Sequence, residues 1–169
     1  MLGGVKPVIA EPSAQAGETA PAAVSDLDGV FAQMREESAR RSSTGGADDE
    51  YKRANALIEA GQIEEAIVAL KSASKAPRLR FATASRLGRL FRDRGMLPQS
   101  VEWFERAAES SAPSPDEGHQ LLYELAEALE ATGETARALA ICIELQAEAG
   151  NFRDVAERVN RLAKVQTRG

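Results

Sequence analysis

Apolar residues recur every three or four positions through most of this 169-residue chain, and the spacing predicts a protein built of amphipathic helices. Six helices are expected in the middle of the chain, and glycine or proline separates each from the next. Their expected bounds are about 48–60, 63–75, 79–93, 98–110, 116–131 and 135–148. A seventh segment, 151–165, has one apolar and one charged face, as a helix that covers the end of a core would.

The six helices form three pairs with the same internal pattern. Gly61, Gly95 and Gly133 each fall at the turn within a pair, where a left-handed residue ends the first helix. The first two glycines lie 34 residues apart and the last two 38, because the loop SAPSPDEG holds four additional residues. Small and bulky residues alternate in the same order around each glycine, and a fixed period of this length indicates a stack of helix pairs. The matching residues are Ala54, Leu57, Ala66, Leu70 and Ala73, then Gly88, Phe91, Ser100, Phe104 and Ala107, then Ala126, Leu129, Ala138, Cys142 and Leu145.

This pattern resembles the tetratricopeptide repeat family over about residues 48–165. The resemblance implies an all-α fold: a right-handed superhelix (α-solenoid) of about three helix-turn-helix repeats with a C-terminal capping helix. The repeats are expected at 48–77, 79–113 and 116–149, and the cap at 151–165. Two positions depart from the family pattern, since Arg53 stands where a large apolar residue is usual and Gly150 stands near the place of a terminal proline. The chain also resembles the C-terminal region of larger bacterial repeat proteins.

The N-terminal part is expected to contribute one helix between two irregular segments. Residues 1–24 are rich in Ala, Pro and Gly, which predicts a disordered leader or linker. Residues 25–41 predict an amphipathic helix capped by Ser25, and 42–47 predict a flexible linker. The helix at 26–41 has two interpretations. It caps the first repeat, or it acts as an amphipathic ligand for the groove of its own or of a second chain.

Composition and charge narrow the range of functions. The net charge of −5 disfavours non-specific attraction to nucleic acid or anionic membranes, and no apolar run is long enough to span a bilayer. One cysteine and one histidine cannot form a metal-binding cluster, and no nucleotide-binding or nucleophile motif occurs. We therefore expect a cytoplasmic protein without cofactor, metal or catalytic residues. His119 is interpreted as a surface or capping residue, and Cys142 and Trp103 as packing residues.

The resemblance also implies a binding surface, because the first helix of each pair lines the concave side of such a superhelix. The candidates for contact with a partner are Tyr51, Asn55, Ser85, Arg89, Arg92, Tyr123, Glu127 and Glu130. At the position of Asn55 the family often uses an amide to hold a peptide backbone, since an amide both donates and accepts hydrogen bonds. The two tyrosines either offer amphipathic contact area or pack against neighbouring helices.

Charge is separated between the second and third repeats. Seven of the eight charged residues in 75–94 are basic, whereas all six in 116–134 are acidic. Either these repeats attract each other across their interface, or they form a bipolar groove that orients an extended partner by its charges. The terminal-carboxylate clamp of chaperone-binding members of the family is not expected. Tyr51 stands where a lysine is needed, and Glu124 and Glu127 would repel an anionic tail.

These observations favour a non-catalytic scaffold that holds an extended or helical segment of another protein in its concave groove. The alternative is a self-association module, for example a homodimer, in which the helix at 26–41 fills the groove. Neither interpretation requires nucleic acid or a membrane as a partner.

Overall fold

Every regular element that the structure describes is helical. The computed structural model describes the backbone of residues 22–167 and the side chains of residues 28–39 and 45–167. Its elements are α1 (Ala22–Glu59), α2 (Ile63–Ala73), a 310 turn (Pro77–Leu79), α3 (Arg80–Asp93), α4 (Leu97–Ala108), α5 (Pro115–Ala131), α6 (Thr135–Ala149) and α7 (Val155–Gln166). Because no strand occurs within the described residues, the predicted all-α class is confirmed.

The helices from α2 to α7 pack one after another in chain order. α2 packs on α3, α3 on α4, α4 on α5, α5 on α6, and α6 on α7. The chain divides into two compact units between Ala39 and Arg40, and all of these helices belong to the second unit. Within 63–149 the expected helix ends agree with the observed ones to within two residues. This succession of neighbours is that of a solenoid with one continuous core.

Tight turns connect the two helices of each pair, and their geometry is nearly the same each time. Gly61, Gly95 and Gly133 have φ angles of 75°, 72° and 82°. In the second turn the amide of Met96 donates to the carbonyl of Phe91 at 2.8 Å, and an equivalent bond closes the other two turns. Glycine adopts this left-handed conformation without steric cost, so the sequence determines where each first helix ends.

The second pair shows why small and bulky residues alternate in the repeat. Gly88 of α3 lies directly against Phe104 of α4, and a Cβ atom at this position would come within 2.4 Å of the ring. The hydroxyl of Ser100 donates to the carbonyl of Gly88 at 2.8 Å, so a buried hydrogen bond also joins the two helices. The small residues therefore set the distance between paired helices, and the bulky ones fill the core.

The described part of the N-terminal region is one helix, which differs from the helix, linker and second helix that the sequence predicts. α1 continues through 42–47, the predicted flexible linker, and it already includes residues ahead of Ser25, so Ser25 does not begin it. Glycine in a helix costs only about 1 kcal/mol relative to alanine, and a helix that continues avoids a second nucleation. Most of the predicted leader, residues 1–21, lies outside the described residues.

The C-terminal helix begins later than the sequence predicts. Gly150 and Arg153 have φ angles of 61° and 48°, and this turn delays the start of α7 to Val155. Val155 and Leu162 are buried, and α7 packs on α6. α7 therefore lies where the sequence places a capping helix, and its charged residues come next to the third pair.

Candidate partner-binding surface

The residues predicted to contact a partner lie on the first helices of the three pairs. α1 carries Tyr51 and Asn55, α3 carries Ser85, Arg89 and Arg92, and α5 carries Tyr123, Glu127 and Glu130. The structure brings members on α3 and α5 into ion-pair networks. It also divides the set into two groups, one whose polar atoms are already bound within the chain and one whose polar atoms are not.

The two candidates on α1 belong to the unbound group. Tyr51 and Asn55 are half-buried, and neither the phenol nor the amide makes a hydrogen bond within the described residues. The ring of Tyr51 packs partly against the core, which fixes its position. The nearby Arg53 lies mostly in solvent, with 63% of its side chain exposed and Glu50 at 3.6 Å. α1 thus presents one aromatic and one amide group that a ligand can reach.

A recess of about 130 Å³ adjoins Tyr51. Its walls are formed by Tyr51, Phe81, Ala82, Ser85, Arg86, Arg89, Glu117 and Gln120. Ser85 offers no free polar group there, because its buried hydroxyl donates to the carbonyl of Phe81 at 2.7 Å. Arg86 is half-buried, and its guanidinium makes no hydrogen bond or ion pair within the described residues. Arg86 is absent from the predicted set, although it belongs to the basic run 75–94 that the sequence reveals.

Arg89 joins α3 to α5. Its Nε atom donates to Glu124 at 2.7 Å, and the other carboxylate oxygen of Glu124 accepts from the amide of Gln120 at 2.7 Å. Only 9% of the Glu124 side chain is exposed, so this carboxylate is committed to the contact between repeats. Arg92, one turn further along α3, has a loose contact of 3.5 Å with the adjacent Asp93.

The three candidates on α5 lie together with Asp154, which immediately precedes α7, and with Arg158 of α7. We call Tyr123, Glu127, Glu130, Asp154 and Arg158 the Arg158 cluster. The guanidinium of Arg158 donates to Glu127 and to Glu130, at 2.8 Å each. It also lies 3.2 Å from Asp154 and 4.7 Å from the centre of the Tyr123 ring. The hydroxyl of Tyr123 donates to Asp154 at 2.6 Å. Only 12% of the Arg158 side chain is exposed, whereas Glu127 and Asp154 are 37% and 41% exposed, so the cation is buried beneath carboxylates that solvent still reaches.

The charges of the Arg158 cluster stabilise one another. Burial opposes the charge of Arg158, but its hydrogen bonds to Glu130 and Asp154 outweigh burial and raise the pKa of the guanidinium. The hydrogen bond from Tyr123 is the main cause that lowers the pKa of the Asp154 carboxyl, and Arg158 adds to it. Burial, followed by the bond to Asp154, raises the pKa of the Tyr123 phenol. The acidic groups on this part of α5 are therefore neutralised from within the chain.

The sequence pattern alone does not bring Asp154 and Arg158 into the site. It predicts a covering role for α7 without linking the charged face of that helix to α5. A signal was nevertheless present, because arginines at 153, 158 and 161 follow the wholly acidic run 116–134. In the structure Arg161 donates to Glu130 at 2.6 Å, and Arg153 donates to Gln120 at 2.7 Å. The acidic run therefore pairs with arginines on both of its sides.

The described residues contain no group of His, Cys, Asp and Glu residues placed to hold a metal ion. Cys142 is 1% exposed, and burial raises the pKa of its thiol. His119 packs edge-on against Phe152, with ring centroids 5.9 Å apart, and Trp103 is buried. Among the described residues, none of the helices combines the length and the apolar composition that a membrane crossing requires.

Solved structures with the same architecture are tetratricopeptide-type solenoids. The chain is similar to the N-terminal domain of stress-induced protein-1 (STI-1) from C. elegans, with a TM-score of 0.62 and 14% identity over 72% of this chain and 97% of that one. It is also similar to TPR-like repeats assigned to a kinesin light chain of Podosopora anserina, with a TM-score of 0.53 and 20% identity over 72% of this chain and 67% of the other. No protein-family model and no curated protein matches the sequence. At these identities the similarity shows the fold, and the predicted tetratricopeptide-type architecture is confirmed.

Proposed function

We propose that this chain is a non-catalytic interaction module that holds a segment of a partner protein against α1 and α3. The observation that carries the proposal is that Tyr51, Asn55 and Arg86 present half-buried polar groups without partners in the described residues. A polar group that is partly removed from water gains from a ligand that supplies its hydrogen bonds. Solenoids of paired helices also commonly bind partners along their curved inner surfaces.

Each of the three residues supplies a different kind of contact. The amide of Asn55 can donate to and accept from a peptide backbone, whatever the side chains of the partner. The ring of Tyr51 offers apolar contact area with few side-chain rotations to restrict. Arg86 offers a planar fork of donors at the recess. Because all three are held on helices, binding orders little of the protein itself, which favours affinity.

In this proposal the α5 residues of the predicted set support the surface and do not contact the partner. Glu127 and Glu130 are bound to Arg158, and a ligand that displaced this guanidinium would leave charges unpaired. Breaking a buried pair in this way costs about 3–5 kcal/mol, and somewhat less where the groups are partly exposed. Of the bipolar groove that the sequence suggests, only the basic residues on α3 therefore remain available to a partner.

Selection of peptides on the intact chain tests the proposal. A random linear peptide library should yield binders, and Tyr51→Ala combined with Asn55→Ala should weaken them at least about 10-fold, as expected for central contact residues. The matched control is Lys164→Ala combined with Val165→Ala, two exposed positions of α7. The control should leave the affinities unchanged. Recovery of no binders, or of binders that ignore the Tyr51 and Asn55 substitutions, would refute the proposal.

A second candidate function, self-association, is favoured by the apolar face of α1. Val30, Phe31 and Met34 are 49%, 55% and 60% exposed. Burial of apolar area is favourable by about 25 cal/mol per Å², so an exposed trio of neighbouring apolar residues can form a contact between two copies. The sequence offers self-association as its alternative interpretation, with the helix at 26–41 filling the groove.

Sedimentation of the intact chain over a range of concentrations tests the second candidate. A dimer should form as the concentration rises, and Phe31→Ser combined with Met34→Ser should abolish it. Val68→Ser in α2 is the control, since Val68 is an apolar residue outside this face with 69% exposure. A wild-type chain that remains monomeric throughout would exclude this candidate.

A further inference from the structure

We infer that the partner segment is acidic, and that Arg86 and Arg92 of α3 bind its carboxylates. The inference rests on the proposed function and deepens it by naming the chemical class of the partner. It follows from a difference between two helices: the carboxylates of α5 are mostly bound within the chain, whereas several guanidinium groups of α3 are not.

Within the described residues, α5 and α3 share a single ion pair, between Glu124 and Arg89. Glu127 and Glu130 are bound by Arg158 of α7. Glu117 lies in the first turn of α5, where its carboxylate accepts a hydrogen bond from a serine hydroxyl at 3.3 Å and the helix dipole favours its charge. Most of these acidic residues of α5 therefore interact with groups that do not belong to α3.

α3 in consequence keeps positive charge that its neighbours do not offset. Arg86 has no ion pair within the described residues. Arg92 contacts Asp93 at 3.5 Å, and 66% of the Asp93 side chain is exposed, so this pair is weak. Arg89 uses its Nε atom for Glu124, and its two terminal nitrogens make no hydrogen bond in the described residues. Half-buried guanidinium groups bind carboxylates well, because their planar fork makes two parallel hydrogen bonds.

The spacing of these arginines fits an extended segment. Arg86, Arg89 and Arg92 follow one another at intervals of three residues, which is about 4.5 Å along a helix axis for each interval. Arg86 and Arg92 are therefore separated by about 9 Å along α3 and by about 120° around its axis, so a segment that meets both must cross α3 obliquely. Tyr51 adds an apolar wall beside Arg86. An acidic residue next to an apolar one, with a second acidic residue several positions further along, matches this arrangement.

A short acidic segment is favoured over a nucleic acid. The chain carries a net charge of −5, which repels a long polyanion, whereas a short segment experiences mainly the local charge of α3. The wholly acidic run 116–134 also lies beside α3, since Arg89 of α3 bonds to Glu124 of that run. A long polyanion would lie against both regions, and a short peptide need not.

The test determines the composition of the peptides that the intact chain selects from the random library. Peptides from the wild type should be enriched in Asp and Glu, and their affinity should fall as salt is added. Arg86→Glu combined with Arg92→Glu should weaken them at least about 10-fold and enrich Lys- and Arg-containing peptides instead. Arg86→Gln combined with Arg92→Gln is a milder variant, expected to lose the acidic preference without acquiring a basic one. Lys75→Glu combined with Lys164→Glu makes the same change of charge at exposed sites and should leave the selection unchanged.

The outcomes separate this inference from the proposed function. Binders that depend on Tyr51 and Asn55 but show no acidic enrichment would overturn the inference and leave the proposed function in place. A selection without binders would overturn both. Binding of single-stranded DNA that depends on Arg86 and Arg92, without any preference for acidic peptides, would also overturn the inference.

Discussion

Arg92 of α3 and Glu130 of α5 occupy the same position in successive repeats, yet their surroundings differ. Arg92 has one loose contact of 3.5 Å with its neighbour Asp93. Glu130 accepts hydrogen bonds from Arg158 at 2.8 Å and from Arg161 at 2.6 Å. The surroundings differ because α7, the helix that follows the third pair, places arginines against α5. Equivalent positions in a repeat protein can therefore have different roles, and the charges of the following helix decide which role applies.

The two tyrosines show the same contrast with one residue type. Tyr123 is 7% exposed, and its hydroxyl donates to Asp154 at 2.6 Å. Tyr51 is half-buried, and its hydroxyl has no hydrogen bond within the described residues. Tyr123 thus joins two helices, whereas Tyr51 is available to a ligand. Substitutions at matched positions should separate stability at the α5 end from binding at the α1 and α3 end.

The largest effect on stability is expected for Arg158→Ala. This change leaves Glu127, Glu130 and Asp154 close together without the cation that joins them, and it should lower the free energy of unfolding by about 2–3 kcal/mol. Urea denaturation followed by circular dichroism measures the loss. Arg53→Ala, at a site with 63% exposure, is the control and should change stability by less than about 0.5 kcal/mol.

Equal losses for Arg158→Ala and Arg53→Ala would contradict the role of the Arg158 cluster in joining α5 to α7. Addition of Glu130→Gln sharpens the result. If the loss in Arg158→Ala comes from unpaired carboxylates, neutralising one of them should restore part of the stability.

A smaller effect, about 1 kcal/mol, is expected for Tyr123→Phe, because it removes a hydroxyl that donates to a carboxylate. Tyr51→Phe removes a hydroxyl with no partner in the described residues and should change the free energy of unfolding by less than about 0.5 kcal/mol. The same urea denaturation compares the two variants. If Tyr51→Phe were as destabilising as Tyr123→Phe, the two tyrosines would not differ in the way described.

The ionisation of Asp154 should contribute to the pH dependence of the free energy of unfolding. Its pKa is lowered in the folded state, chiefly by the bond from Tyr123, so its contribution is complete above the unfolded value of about 3.9 and is lost as the pH falls through the folded value. Tyr123 has the opposite sign. Its raised pKa means that its contribution is present below about pH 10 and is lost as the pH rises through the folded value.

Unfolding by urea at a series of acidic pH values measures the Asp154 contribution. Asp154→Asn should make stability less dependent on pH in the acid range than in the wild type, and the exposed Asp49→Asn should not. An unchanged acid dependence in Asp154→Asn would show that the carboxylate contributes nothing through its bonds to Tyr123 and Arg158.

The smallest effect on stability is expected for Asn55→Ala, since the amide makes no hydrogen bond within the described residues. Its free energy of unfolding should stay within about 0.5 kcal/mol of the wild type. The affinity for selected peptides should fall in the same variant. A loss of stability with unchanged affinity would assign Asn55 to the framework and remove it from the binding surface.

The paired helices could be predicted from the sequence because their signals are local. Gly95 ends α3 through its own φ angle of 72°, and Gly88 admits Phe104 through the absence of a side chain. Such properties belong to single residues and recur at a fixed period. For this reason the expected helix ends in 63–149 agree with the observed ones to within two residues.

The network around Arg158 could not be predicted in the same way, because it depends on how α7 lies against α5. The turn with positive φ at Gly150 and Arg153 sets this orientation, and a positive φ at an arginine has no sequence signature. The continuous α1 was missed for a different reason. Gly45 and Gly46 weaken a helix only slightly, so a glycine pair indicates a break without requiring one.

The burial of Cys142 has a practical consequence for measuring ligand occupancy. It is the sole cysteine of the sequence, it is 1% exposed, and its thiol is disfavoured as a thiolate, the form that reacts with maleimides. The folded wild-type chain is therefore nearly inert to thiol-directed fluorophores. A cysteine introduced at a solvent-accessible position such as Lys52 would take up dye selectively, and its emission could report titrations at the neighbouring Tyr51 without removal of the native cysteine.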